Sequence, residues 1–238
     1  MAILQACTDD SKTRFALGQV KRTDLIEVTL SGIPIVAART GYTGEEMGFE
    51  LFVHPDQQVA FWNLLLEKGQ PFGIKPCGLA ARDSTRTEAG LPLYGHELAG
   101  HFDINPAEAG FPGYVKYHKP FFVGRDILLG QDLKRKRELV RWRMDQKGVR
   151  RPSTLAPLVN KLGQVIGYVT SCSIDSEGYL LGLGIVDIRY AKEGTPLGIF
   201  VLPEKPQLEK QKPELGLGDK VLLHVEATVL RRFPEKKK

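Results

Sequence analysis

Apolar and polar positions alternate over Ile26–Leu30, and Ile33–Ala38 is a second, uniformly apolar β-rich run, with Ser31-Gly32 between the two. Two β-rich runs joined by a glycine-containing pair predict an antiparallel hairpin. Gly41-Tyr42-Thr43-Gly44 reads as a glycine-bracketed turn, and a third short strand is expected around Glu50–Val53. From residue 56 the period changes to that of a helix. Asp56 suits the N-cap, Val59, Trp62, Leu65 and Leu66 form the apolar stripe, and Gly69 ends the segment over 56–68. A second helix is predicted from about Gly78 to Ala89, with Gly90 just beyond it. It places Arg82 and Arg86 four apart on one face with Asp83 beside them. Three strands followed by two helices indicate an α+β sandwich.

After about residue 131 helical periodicity disappears. Short strand candidates recur at Leu139–Met144, Val165–Thr170, Tyr179–Val186, Leu197–Val201 and Val221–Val229, with Gly, Pro, Asp and Ser between most of them. That pattern describes a small all-β barrel or sandwich. Pro203–Pro213 reads as a long polar loop and Lys236–Lys238 as a frayed tail. The expected division is an α+β region over 1–130 and a β-barrel over 131–238. Trp62 and Trp142 both read as core.

The chain has 238 residues, 42% of them hydrophobic and 26% charged, which excludes an intrinsically disordered protein. No apolar run approaches the ~18 residues of a membrane span, and Met1–Asp10 lacks a basic, apolar leader pattern. Cys7, Cys77 and Cys172 are too few and too scattered for a disulfide scaffold or a zinc site. No metal centre is expected, and a reducing, cytoplasmic setting fits. The net charge of +5 is uneven, because nine Lys or Arg stand in 134–151 against only Glu138 and Asp145. The plain reading of that run is a charged edge strand and linker. A docking surface for an acidic partner is the alternative. Nucleic acid is disfavoured, since only Trp142 interrupts the basic run and stacking platforms need more aromatics.

Local strings carry more. Arg39-Thr-Gly-Tyr-Thr-Gly-Glu45 followed by Gly48-Phe-Glu50, and Lys75-Pro-Cys-Gly-Leu-Ala-Ala-Arg82-Asp-Ser-Thr-Arg86-Thr-Glu-Ala-Gly90, are two of them. Leu93-Tyr-Gly-His-Glu97, Pro106-Ala-Glu-Ala-Gly110, Phe121-Phe-Val-Gly-Arg125-Asp126 and Gly163-Gln-Val-Ile-Gly-Tyr-Val-Thr-Ser171 complete the series. In this order and spacing they resemble the glycine-cleavage T-protein family, the folate-dependent aminomethyltransferases. The resemblance implies the ferredoxin-like part of a folate-binding T-protein fold, followed by its C-terminal barrel. It also implies tetrahydrofolate as cofactor and a lipoylated carrier protein (H-protein) as partner, with neither nucleic acid nor membrane involved. The family's reaction releases ammonia from a lipoyl-bound aminomethyl group and passes its carbon to tetrahydrofolate.

The residue chemistry fits such a ligand. A carboxylate can read the flat donor edge of a pterin through paired hydrogen bonds, and an arginine fork can hold a glutamyl tail. Glu50 supplies the first group; Arg82 and Arg86 are candidates for the second. By resemblance Glu50 falls on the family's pterin-reading glutamate, Arg82 on its folate-contacting arginine and Tyr42 on the tyrosine lining the pocket. Each also has a structural alternative: an exposed strand carboxylate, an ion-pair cation and a packed turn residue. Arg39, Glu45, Arg86 and Glu88 read as a structural ion-pair network holding the helices to the sheet. Tyr94, His96 and Glu97 read as buried caps or interface groups.

The chain departs from the family pattern in several places. Glu46-Met47 adds one residue to the turn, to be absorbed by a bulge or a longer loop. Where the family has a tryptophan after Glu-Ala-Gly, this chain reads Phe111-Pro-Gly-Tyr114. Lys119-Pro-Phe-Phe-Val-Gly-Arg125 lacks the cysteine that marks relatives serving iron–sulfur maintenance. The resemblance begins within the family's pattern, so the N-terminal lobe and the catalytic aspartate assigned to it have no match. Asp9, Asp10 and Asp24 lie outside the matching strings, and no catalytic residue is assigned. The resulting expectation is an aminomethyltransferase incomplete without a separate N-terminal lobe. A non-catalytic folate-binding scaffold or regulator is the alternative.

Overall fold

A computed structural model of the chain describes residues 1–99, 101–201, 214–221 and 224–235. The expected polar loop over 203–213 and the tail over 236–238 lie outside the described residues. The chain divides into two compact units, Met1–Arg82 and Asp83–Lys238.

In the first unit, helices α1 (Ala2–Ala6) and α2 (Ser11–Gln19) precede strands β1 (Leu25–Leu30), β2 (Ile33–Ala38) and β3 (Glu50–Val53). Helices α3 (Gln58–Gly69) and α4 (Leu79–Glu88) follow, with Asp83 in α4 beginning the second unit. The strands form an antiparallel sheet in the order β1-β2-β3. The β1–β2 turn is Ser31-Gly32, both at positive φ, as a two-residue primed turn requires. One sheet face buries Leu30, Ile35 and Ala37 against Leu4, Leu17 and Phe61.

Two details of α3 differ from expectation. The helix starts at Gln58, because Pro55–Gln57 forms a 3₁₀ turn that takes Asp56 inside it. Its buried face centres on Phe61, with Leu64 and Leu65 packed beside it. Trp62 is not core. It sits one residue, about 100° of helix, off that face, and it is 50% exposed. Val59 is exposed for the same reason.

The second unit carries helix α5 (Arg125–Leu133) and strands β4 (Arg137–Lys147), β5 (Pro157–Val159), β6 (Val165–Ile174), β7 (Tyr179–Asp187), β8 (Pro196–Ile199) and β9 (Val225–Leu230). The strands close into an antiparallel barrel in the order β4-β7-β6-β5-β8-β9. The start expected for the last strand, at Val221, shifts to Val225; residues 222 and 223 lie outside the described residues. The basic run was expected as an edge strand. Instead β4 pairs with β7 on one side and β9 on the other, because a closed barrel has no edge.

The barrel interior is built around Trp142, fully buried among Val140, Met144, Leu158, Val169 and Ile199. Space for the indole comes from β7, where Gly182 stands opposite Trp142 in the register. A Cβ at Gly182 would lie 2.1 Å from Ser171 O and 2.4 Å from Trp142 Cζ2. On the outer face of β4 and β7, Leu139, Leu183 and Ile185 pack against Ile104 and Ala109. Cys7 and Cys172 are buried and Cys77 is exposed; all three are free thiols. Burial pushes the Cys172 thiol up to about 11, a shift that nearby Arg151 only partly opposes.

Two measurements test this packing. Gly182→Ala is expected to lower unfolding free energy by roughly 1–3 kcal/mol through overpacking. Gly130→Ala on α5, where a Cβ meets nothing within 4 Å, should raise it by up to about 1 kcal/mol. Equal effects in denaturant titrations would refute the close approach. Native thiol labelling near neutral pH should modify Cys77 rapidly and leave Cys172 untouched until the pH nears 11. The neutral buried thiol is the stabilised form. Its contribution is therefore complete below the ordinary thiol value and fades as pH rises through the folded value.

Candidate functional site

The three residues singled out by resemblance all belong to the first unit. Tyr42 lies in the connection between β2 and β3, half-buried, and Glu50 opens β3 with its side chain exposed. The β2–β3 register runs without interruption from Ile35↔Val53 to Ala38↔Glu50. The additional Glu46-Met47 residue is therefore absorbed by the turn and not by a bulge. Two glycines close that turn: a Cβ on Gly41 would meet Gly48 Cα at 3.8 Å, and one on Gly48 would meet Thr40 O at 3.2 Å. This backbone contact brings the neighbour of Tyr42 to within two residues of Glu50.

Arg82 is exposed on α4, and its guanidinium carbon stands 5.5 Å from the centroid of the Tyr42 ring. That is cation–π range, and the ring limits the orientations the planar fork can take. The structure thus joins Tyr42 to Arg82 directly, while Glu50 reaches the same turn through the backbone. An exposed guanidinium over an aromatic ring and a carboxylate at the neighbouring strand start form a polar surface able to hold a flat, anionic-tailed ligand.

Arg86, one helical turn along the same helix, has a different fate. It is 0% exposed, and every N–H of its guanidinium has an acceptor. Nε and Nη2 donate to Asp83 Oδ1 at 2.8 and 2.5 Å, Nη2 also to Ser171 Oγ at 2.7 Å, and Nη1 to Leu91 O and Glu97 Oε2, both at 3.2 Å. Glu97, also 0% exposed, accepts from Leu93 N at 2.8 Å, Thr170 Oγ1 at 2.7 Å and Ser171 Oγ at 2.6 Å. Two consecutive strand residues normally point to opposite sides. Here the β6–β7 register steps from Val169↔Gly184 to Ser171↔Leu183, so Thr170 is an extra residue. The bulge turns both hydroxyls onto one carboxylate oxygen.

The expected network of Arg39, Glu45, Arg86 and Glu88 is thereby corrected. Arg86 pairs with Asp83 and Glu97, Arg39 donates to Val20 O at 2.7 Å, and Glu88 accepts from Ser176. Glu97 is buried as anticipated, but Tyr94 and His96 are exposed, since they ride the outer turn of the loop that inserts Glu97. Asp83 and Ser171 were not singled out as Arg86 partners, nor Thr170 as a donor to Glu97. A polar Thr-Ser pair inside the apolar run Val165–Ile174 was the available signal. Phe111 packs edge-on to Tyr114 at 5.6 Å and against Phe233 at 5.2 Å, so the changed aromatic segment has its own packing.

The aspartates near the start of the chain are structurally engaged. Asp10 caps α2, accepting from Thr13 Oγ1, Thr13 N and Lys12 N, and these hydrogen bonds hold its carboxyl below the usual range. Asp9 pairs with Arg14, and Asp24 accepts from Lys21 N.

Comparison with known proteins follows the same lines. Residues 1–119 match the family model described as the GCVT N-terminal domain. An aminomethyltransferase of Caldanaerobacter subterraneus subsp. tengcongensis is 38% identical over 207 residues, covering 84% of this chain and 51% of the relative. One from Alkaliphilus metalliredigens is 38% identical over 216 residues, covering 87% and 54%. The crystal structure of glycine cleavage system aminomethyltransferase T from Bartonella henselae superposes with a TM-score of 0.65 at 27% identity, covering 83% of this chain and 48% of that one. The chain belongs to the aminomethyltransferase family of glycine-cleavage T-proteins. It spans about half the length of the curated relatives it matches.

The buried network yields a stability prediction. Glu97→Ala leaves Arg86 buried without one of its two carboxylate partners and should cost about 3–5 kcal/mol. Ser171→Ala removes one hydroxyl bridge and should cost about 1–3 kcal/mol. Denaturant unfolding followed by circular dichroism reads both; costs below about 0.5 kcal/mol would show that the network carries no stability.

Proposed function

We propose that this chain binds tetrahydrofolate through Glu50, Arg82 and Tyr42 and takes part in aminomethyl transfer of the glycine-cleavage type. The observation that carries the reading is the exposed Arg82 guanidinium over the Tyr42 ring, beside the turn that leads to Glu50. The donor set suits the ligand. Glu50 accepts hydrogen bonds from the pterin edge, Arg82 pairs with the glutamyl carboxylates, and Tyr42 orients Arg82 and walls the pocket. When bound, tetrahydrofolate supplies N5 as the acceptor for the one-carbon unit. Arg86 takes no part in binding, because its donors are already filled.

The same reading includes a lipoylated carrier protein as aminomethyl donor and a separate N-terminal lobe as the supplier of the catalytic aspartate. Support for the lobe is that the matched relatives are about twice as long as the aligned part. A cytoplasmic setting belongs to this reading as well; among the described residues no helix is long and apolar enough to cross a membrane. The second reading, a folate-binding scaffold without transfer activity, is favoured by the structural engagement of Asp9, Asp10 and Asp24.

Titration calorimetry with tetrahydrofolate tests the site. Glu50→Ala and Arg82→Ala should each weaken binding about 10- to 100-fold, the loss expected for a charge-assisted hydrogen bond. Wild-type affinity no better than either variant's would reject it. Ammonia release from lipoyl-bound aminomethyl carrier, restored by adding the N-terminal half of a longer relative, separates transferase from scaffold. Tight folate binding with no release under any addition would favour the scaffold.

A further inference from the structure

We propose that the loop before α5, α5 itself and the start of β4 form a docking face for an acidic protein segment carrying apolar anchor residues. This does not depend on the folate reading and shares no residue with it. Helix α5 buries none of its nine residues. Exposed apolar side chains gather in this short stretch: Phe121 is 79% and Val123 91% exposed, and Tyr114, Ile127 and Leu133 are exposed as well. Single exposed apolar residues are ordinary; five of them between residues 114 and 133 are the apolar half of the proposed face.

Charge specifies the partner. Residues 114–137 contain seven Lys or Arg and two Asp, a net charge of +5, equal to that of the whole chain. Three of these cations are satisfied internally: Arg125 by Asp126, Arg135 by Glu138 and Arg137 by Glu108. Lys119, Lys134 and Lys136 are exposed and have no carboxylate within ion-pair distance among the described residues. Lys134 caps the C-terminus of α5, where a cation is favourable without any ligand. That explanation does not extend to Lys119 or Lys136.

Shape narrows the choice further. A cleft of about 620 Å³ is lined by α5, the 103–108 segment and the start of β4, with Ile127, Lys134 and Lys136 among its lining residues. Asp103, Glu108 and Asp126 also line it, and Glu108 is already paired with Arg137. A concave wall suits a protein segment better than a flat bilayer. A second copy of this chain would bring like charges together, which disfavours self-association. An acidic helix or loop can seat an apolar side chain beside Ile127 and its carboxylates on the lysines.

The test uses the full chain and a fluorescein-labelled amphipathic helical peptide of Glu and Leu, read by fluorescence anisotropy. Binding should weaken as salt rises from about 50 to about 300 mM. Lys134→Glu with Lys136→Glu, and separately Ile127→Asp, should each weaken it about tenfold or more. An all-Glu peptide of equal charge should bind about tenfold more weakly. Should the Glu variants melt earlier than the parent, Lys134→Gln with Lys136→Gln gives the same comparison with less perturbation. Absence of peptide binding overturns the proposal, as does equal binding of the all-Glu peptide or indifference to Ile127→Asp. Tighter binding to phosphatidylglycerol vesicles or to RNA, with the same residue dependence, would also overturn it.

Discussion

The buried Arg86–Glu97 ion pair ties α4, the 91–98 loop and β6 of the second unit together. Taking two charges out of water is expensive, and the attraction between them offsets that cost only when the remaining donors and acceptors are filled. Both side chains are fully buried, and both are filled: Asp83, Ser171 and Leu91 O complete Arg86, and Leu93 N–H and two hydroxyls complete Glu97. Those partners come from α4, the 91–98 loop that follows it, and β6, more than seventy residues further on. None of them can shift without stranding a charge. The bulge at Thr170 follows from the same requirement, because a regular strand presents only one of two adjacent hydroxyls to a given side.

A second constraint lies inside the barrel. Trp142 is accommodated because Gly182 faces it across the β4–β7 pairing, where a Cβ would run into backbone as well as indole. Closure then removes the edge that a basic strand might have been expected to guard. Part of the basic run is spent on the barrel's own surface. Arg143 and Lys147 both stand 4.6 Å from the Tyr179 ring, and Arg143 also pairs with Glu177.

These constraints bear on function by separating two arginines of one helix. Arg86 is consumed by the fold, whereas Arg82 remains exposed above Tyr42. A membership shared with aminomethyltransferases over about half their length therefore goes with one arginine exposed beside an aromatic ring and one locked in place.

The sequence by itself determined the family, through ordered strings that survive as strings, and most elements whose period is unambiguous. The β1–β2 hairpin, β3, α4 and five of the barrel strands were legible because β-rich runs and glycine turns are local properties, whereas the three-residue β5 was not anticipated. Helices α1, α2 and α5 were not anticipated: α1 is a single short turn, and α5 has no buried stripe to announce it. The face of α3 was misjudged because Trp62 is the largest apolar residue there, while burial follows the sheet that α3 packs on. Only the tertiary structure decided that the basic strand is paired on both sides in a closed barrel, and which arginine is exposed. Pairing partners from residues 83 to 171 meet only when the chain folds back, and no local pattern records that meeting.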